Sequence, residues 1–318
     1  MARTPERRQP WISYAAVRAQ RHVRWLQTQG LARLVEEDGL NPVDQAATMV
    51  GKWRWRVAHR SRPDGGVPVL LVGLQRSGTN MIVRGLERAP ELEVYNENNR
   101  AAFSRFRLRP DPVIRRLVDK SRHPYVLLKP LCDSHRTAEL LDALGIRRPG
   151  KGLWVYRSVD GRTRSALAKF GDANLGALRE IAAGGARHRW EAQMLSPDSL
   201  DLVASFDWTR TNAPSAAALF WFVRNRLYFE LGLDRRPDVL LVSYDAALRD
   251  PESEVRRICA FLEFPYRPEL AAHIAPRPPA TAGPLSIDPR VRARCEELAE
   301  QLDAAHRRHQ PARPTPSG

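Results

Sequence analysis

The stretch 67–80, VPVLLVGLQRSGTN, is an apolar run that breaks at Gly73 and reopens as a glycine-containing loop with one arginine. Against the phosphate-loop pattern G-x-x-x-x-G-K-[ST], Gly73 and Gly78 keep the spacing, but Thr79 and Asn80 stand where the lysine and the hydroxyl residue belong. In nucleoside-triphosphate enzymes that lysine grips the β- and γ-phosphates and the hydroxyl holds magnesium, so their joint absence argues against ordinary ATP or GTP chemistry. The geometry survives. Val69, Leu70, Leu71 and Val72 form a strand, the glycines permit a tight turn, and a helix from about Gly78 to Ala89 aims free amides and its positive dipole end at an anion. Arg76 adds a planar guanidinium suited to phosphate or sulfate. An ordinary strand-to-helix turn with an incidental arginine is the other reading of the same residues.

Downstream, the runs YVLLK, GLWVY and DVLLVSY each precede a helical stretch, the pattern of parallel strands joined by crossover helices. The expected fold is α/β, a three-layer parallel sheet with a phosphate-loop-like nucleotide site. Residues 1–66 read as an N-terminal helical extension, 67–305 as the α/β domain and 306–318, rich in Pro and Arg, as a disordered tail. Between the third and fourth runs, about Asn174 to Gly232, lies a long helical insertion that reads either as a lid over the site or as helices covering the sheet.

The chain has 318 residues and a net charge of +15, and of its 51 basic residues only five are lysines. Such a balance suits nucleic acid, an anionic membrane or a polyphosphate ligand without choosing among them. Eight Trp and nine Phe are too scattered for the stacking strips of a single-strand binder, and no nucleic-acid partner is expected. Cys132, Cys259 and Cys295 are far apart and show no metal-ligand spacing, so a reducing compartment and no metal site are expected. No apolar run reaches the ~18 residues of a membrane span, and the charged start lacks the apolar stretch of a secretory signal, which makes a cytoplasmic location the expectation. The Arg-rich segment 11–35 suits either peripheral contact with a membrane surface or packing on a core.

After GLWVY comes RSVDGRTRSALAKF, 157–170. Arg157 at the strand tip and Ser165 two helical turns later can face one crevice at the carboxyl ends of the strands, where open α/β sheets bind ligands. Two anion sites at neighbouring strand ends imply a ligand with phosphates at both ends. Here GLQRSGTN resembles the 5′-phosphosulfate loop, and YRSVDGRTRSALAKF the 3′-phosphate motif, of sulfotransferases that use 3′-phosphoadenosine 5′-phosphosulfate (PAPS). VSYDAALRDPESEVRRICAFLEFPY is similar to a later segment of that family, so the likeness runs over 67 to about 265. It implies sulfuryl transfer from PAPS to a hydroxyl or, less readily, an amine of a small-molecule, carbohydrate or lipid acceptor. Arg76, Ser77, Gly78, Thr79 and Asn80 would bind the 5′-phosphosulfate, and Arg157 and Ser165 the 3′-phosphate. Asn80 departs from the family's Thr or Ser, RSVDG from its RDPRD, and its late Arg/Lys-Gly loop has only Arg277 as a stand-in.

Sulfuryl transfer needs a base for the acceptor proton and positive charge on the leaving phosphate oxygens. By the resemblance, Glu97 in EVYNENNR is a candidate base and Lys129, ending YVLLK, a candidate for steadying the sulfuryl group; the alternative for each is a solvated loop or strand end. His123 and His135 are rival bases. Trp208, Trp221 and Phe222 suit either an acceptor pocket or the core. Two other functions fit the composition: a kinase with an altered phosphate loop, recognised by magnesium-dependent ATP affinity, and a non-enzymatic basic binder of nucleic acid or membrane, recognised by steep salt dependence.

Overall fold

The computed structural model describes residues 42–59, 65–185, 189–278 and 283–308. The readings placed on 1–41 and 309–318, including the amphipathic segment 11–35, lie outside the described residues. Contacts divide the chain into two units, 1–53 and 54–318. Helix α1 (Pro42–Ala58) runs through the division, and the second unit carries all that follows.

Five strands build one parallel sheet: β1 (Val67–Gly73), β2 (Leu92–Tyr95), β5 (Tyr125–Leu128), β6 (Lys151–Tyr156) and β7 (Val239–Ser243), in the order β2-β5-β1-β6-β7. Between β2 and β5 lies a short hairpin, β3 (Phe103–Ser104) and β4 (Arg107–Leu108). The helices are α2 (Thr79–Leu86), α3 (Asp111–Lys120), α4 (Thr137–Leu144), α5 (Val159–Phe170), α6 (Ala173–Ala182), α7 (Pro197–Ala204), α8 (Ala213–Glu230), α9 (Tyr244–Arg249), α10 (Pro251–Leu262) and α11 (Pro289–Arg308).

Alternate residues of β1 enter two different cores. Leu70 and Val72 join Trp154, the α8 side chains and Leu298 and Leu302 of α11, while Val69 and Leu71 join Ile82, Leu86, Ile258 and Leu262. A strand covered on both faces has no polar side, which is why all four quoted runs are continuous rather than alternating. The three-layer α/β expectation therefore holds.

The long helical insertion resolves largely into cover. Helix α8 buries residues on every side, Trp221 and Phe222 included, and so lacks the one-sided stripe of a surface helix. Its start is fixed by Asn212, whose side chain accepts from the Ser215 amide at 2.8 Å. Trp208 is likewise core, donating its ring N–H to the Val203 carbonyl at 3.0 Å.

The last helix runs through Arg308, past residue 306 where the tail was expected to begin, because His306 is buried. Its Nε2 lies 3.1 Å from Glu254 Oε1, and Glu254 also takes the Ser243 amide at 3.1 Å and Arg257 Nη2 at 2.6 Å. Burial opposes the charge on Glu254, but the bonds from His306 and Arg257 hold its carboxyl below the usual range. Among the described residues no helix is long and apolar enough to cross a membrane.

Strand order sets the place of the site. The chain leaves central β1 for β2 and β5 on one side, then reverses to β6 and β7 on the other. Such a reversal opens a crevice at the strand carboxyl ends.

Candidate functional site

The carboxyl end of β1 is shaped by two glycines. At Gly73 (φ +124°) a Cβ would stand 2.2 Å from the Val155 carbonyl oxygen, so only glycine lets the loop leave beside β6. Gly78 (φ +93°) lies flat on the Tyr244 ring, where a Cβ would come within 1.9 Å of Cδ2. Between them Arg76 holds φ +71°, a left-handed conformation that costs a non-glycine residue about 1 kcal/mol or more. That turn directs its side chain across the crevice, where Nε donates to Ser165 Oγ at 2.9 Å. Residues 89 positions apart, read separately as parts of two anion sites, thus share one hydrogen bond. Helix α2 starts at Thr79 with no side-chain cap and no acidic residue in its first turn. Its amides and dipole are left for an anion.

Arg157 follows the end of β6. Its guanidinium lies 4.4 Å over the Tyr244 ring, and its carbonyl accepts from Trp221 Nε1 at 2.9 Å. Tyr244 opens α9 at the end of β7, so one ring backs both the phosphate-loop glycine and the second arginine. The neighbouring Asp245 accepts from the Ser158 amide at 2.6 Å and fixes the start of α5. Gly161 completes the fit, since a Cβ there would be 2.7 Å from Arg157 Nε. The glycine of RSVDG is thereby explained: it makes room for the arginine. Burial pulls the Arg157 pKa down; Tyr244 and Asp245 oppose the shift, and the charges of Arg76 and Arg277 add to it. Three guanidiniums therefore act on one region of the crevice.

A fourth arginine was not singled out from the sequence. Arg162 is fully buried, donating through Nε to the Gln75 carbonyl of the phosphate loop (3.3 Å) and through Nη1 to Ala217 O (2.9 Å) and Asn174 Oδ1 (3.1 Å). Burial and the charge of Arg76 lower its pKa to about 9. The signal was present: Val159, Arg162, Thr163 and Ala166 share the buried face of α5 at helical spacing, and an arginine on such a face requires partners.

On the other side of β1, Lys129 follows the end of β5 and is 6% exposed. Its Nζ donates to Asn80 Oδ1 at 2.5 Å and lies 3.7 Å from Glu97 Oε2. Asn80 thereby gives the loop an anchor for this lysine. Glu97 follows β2, and the backbone at Leu131 favours its ionised form. Burial pushes the Glu97 carboxyl up against the opposing pull of Lys129, and burial pushes the Lys129 ammonium down against Glu97. Burial thus opposes the charge on each, while each charge favours the other.

The rival bases fall elsewhere. His123 precedes β5, at the opposite end of that strand from Lys129, and its Nδ1 lies 2.8 Å from the Pro90 carbonyl. His135 lines a separate cleft. Arg277, anchored by its amide to Leu248 O at 2.9 Å, is felt at Arg157.

The crevice has the features of a built anion site. Ser77 Oγ and Arg157 Nε are buried without a hydrogen-bond partner among the described residues, an arrangement that leaves donors for an oxyanion. Among those residues no three His, Cys, Asp or Glu side chains come together as a metal-binding group.

No family profile and no curated protein matches the chain. Among solved structures it is similar to a sulfotransferase from Alicyclobacillus acidocaldarius, at 16% identity and a TM-score of 0.40 over 76% of this chain and 94% of that one. A sulfotransferase domain from the curacin biosynthetic pathway is 12% identical, with a TM-score of 0.42 over 76% and 98%. Mouse sulfotransferase SULT7A1 complexed with PAP is 16% identical, with a TM-score of 0.38 over 68% and 64%.

Proposed function

We propose that this chain is a sulfotransferase that takes a sulfuryl group from PAPS and delivers it to an acceptor hydroxyl. The observation that carries the reading is the crevice itself, with two arginines on adjacent strand ends, Arg76 bonded to Ser165 and Arg157 backed by Tyr244, and a lysine–glutamate pair across the central strand. A ligand with an anionic group at each end suits it better than a triphosphate, because the loop lacks its own lysine. When bound, the donor supplies an activated sulfuryl group.

In this reading Ser77, the α2 amides and Arg76 hold the 5′ end, and Arg157 with Ser165 the 3′ end. Glu97 receives the acceptor proton as the acceptor oxygen bonds to sulfur and the bond from sulfur to the 5′-phosphate oxygen breaks. Lys129, held by Asn80, offsets the negative charge gathering on that leaving oxygen. An acceptor amine would pass its proton to the same carboxylate and is the second reading.

The test is calorimetric titration with adenosine 3′,5′-bisphosphate, beside ATP with and without magnesium. The wild-type chain is expected to bind the bisphosphate without metal, and Arg157→Ala to bind it about 10- to 100-fold more weakly, as befits a lost charged hydrogen bond. ATP bound only with magnesium, and no bisphosphate, would put a kinase in place of the sulfotransferase.

A further titration addresses the buried buttress. Arg162→Lys keeps the charge but cannot fork across three acceptors. The variant is expected to retain its far-ultraviolet circular dichroism and to lose about tenfold in bisphosphate affinity; unchanged affinity would show that Arg162 supports the fold and not the loop.

A further inference from the structure

Half of the large apolar side chains that stand exposed among the described residues lie on one helix. They are Met49, Val50, Trp53 and Val57 of α1, exposed at 69%, 55%, 57% and 59%, whereas Ile146, Phe170, Met194 and Leu200 are scattered over the rest. At the helical turn of about 100° per residue, Met49, Trp53, Val57 and Val50 fall at about 0°, 40°, 80° and 100° around the axis, and the exposed Ala46 falls among them. The four form a single stripe about 100° wide and about 12 Å long. The apolar stripe of a surface helix ordinarily faces a core. This one faces solvent.

The other side of the helix is the one that packs. Trp55 falls opposite the stripe, is half-buried, and stacks on His123 at 6.2 Å and on His59 at 4.3 Å between ring centroids. His59 Nδ1 in turn lies 2.8 Å from the Trp55 carbonyl oxygen. The end of α1 that belongs to the second unit is held through Trp55, and the stripe is turned away from that contact.

Basic side chains border the stripe on both edges. Arg56 falls about 20° before Met49 and Arg54 about 40° beyond Val50. From Gln45 to Arg62 the sequence carries five basic residues, Lys52, Arg54, Arg56, Arg60 and Arg62, and no acidic one. A strip of Met, Val and Trp with a positive fringe on each edge matches a surface that is apolar within and negative at its border. An anionic lipid bilayer is such a surface: apolar side chains enter the boundary between head groups and acyl chains, Trp settles at that boundary, and arginines meet the lipid phosphates. With three basic residues among its 17, α1 is suited to lie on a bilayer and not to span it.

We infer that α1 is an interfacial docking helix that holds the protein on an anionic lipid surface through Met49, Val50, Trp53 and Val57, with Arg54 and Arg56 on the head groups. The inference draws nothing from the donor reading. The contact that holds α1, at His123, lies at the opposite end of β5 from Lys129 and the crevice. Docking therefore leaves bisphosphate binding unchanged.

The full chain is sedimented with phosphatidylcholine vesicles that do or do not contain phosphatidylglycerol, and its affinity for adenosine 3′,5′-bisphosphate is measured in parallel. The wild type is expected to bind the anionic vesicles at least tenfold more tightly than the neutral ones, the worth of two basic side chains near a charged surface. Trp53→Gln is expected to weaken that binding about tenfold or more, as loss of a buried aromatic ring does, and Trp53→Phe to keep most of it. Arg54→Gln/Arg56→Gln should remove most of the preference for anionic lipid. Trp53 is exposed, so Trp53→Gln should keep the wild-type thermal midpoint and bisphosphate affinity. No binding to anionic vesicles, or binding that Trp53→Gln leaves intact, would overturn the inference. So would a fall of several degrees in the thermal midpoint of Trp53→Gln, which would mean that the chain itself covers the stripe, or a dimer that dissociates in that variant, which would mean that a second copy does. Vesicle binding with the expected variant effects, but no bisphosphate binding, would support the docking helix and overturn the donor reading.

Discussion

Glu97→Gln is expected to leave bisphosphate affinity at its wild-type value and to slow turnover about a hundredfold or more, the usual contribution of a general base. The amide keeps the size of the side chain, and Lys129 stays anchored on Asn80. What disappears is the site that receives the acceptor proton. The pH profile separates this role from a structural one. Because burial raises the Glu97 pKa, wild-type turnover should climb with pH through a limb placed above the ordinary carboxylate range. The sign follows from chemistry: the ionised carboxylate accepts the proton, so activity appears as Glu97 deprotonates. Glu97→Gln should lack that limb. Wild-type turnover in the variant would remove Glu97 from the base role.

Gly78→Ala should disable the chain's phosphate loop. Its Cβ would fall 1.9 Å from Tyr244 Cδ2 and 2.7 Å from Cε2, at a φ of +93° that alanine tolerates poorly. Moving the ring also moves the guanidinium of Arg157 stacked on it at 4.4 Å. Both arms of the crevice are disturbed at once. The expected result is a loss of at least a hundredfold in bisphosphate affinity, with a fall of a few degrees in the thermal midpoint from overpacking worth about 1–3 kcal/mol. Wild-type affinity in Gly78→Ala would show that the Tyr244 ring does not align the two arms.

Four of the five sheet strands were legible because each is buried on both faces, which leaves an unbroken apolar run in the sequence; β2, only half-buried beyond Leu92, left no such run. Helix α8 was ambiguous for a related reason: apolar all round, it showed no stripe to say which side faced the sheet. The hairpin β3–β4 left no sign because its turn residues, Arg105 and Phe106, take φ of +50° and +66° without the usual Asn or Gly. Individual site residues could be named, but their pairing could not. Nothing local says that Arg76 meets Ser165, or that Asn80 is where it is to hold Lys129. His123, by contrast, could have been set aside: it precedes its strand while Lys129 follows it, and four strand residues separate their ends by about 13 Å.

The order of the strands also governs how the chain comes to be folded. Central β1 is made before both of its neighbours, which begin only at Tyr125 and Lys151, and the ring that backs Gly78 arrives at Tyr244. During synthesis both edges of VPVLLVG stay unpaired until those later segments emerge, and such non-local parallel pairing is intrinsically slow. An apolar strand with open edges is a template for self-association. Ligand binding at the crevice therefore reports a chain made at least through Tyr244, whose ring backs both Gly78 and Arg157.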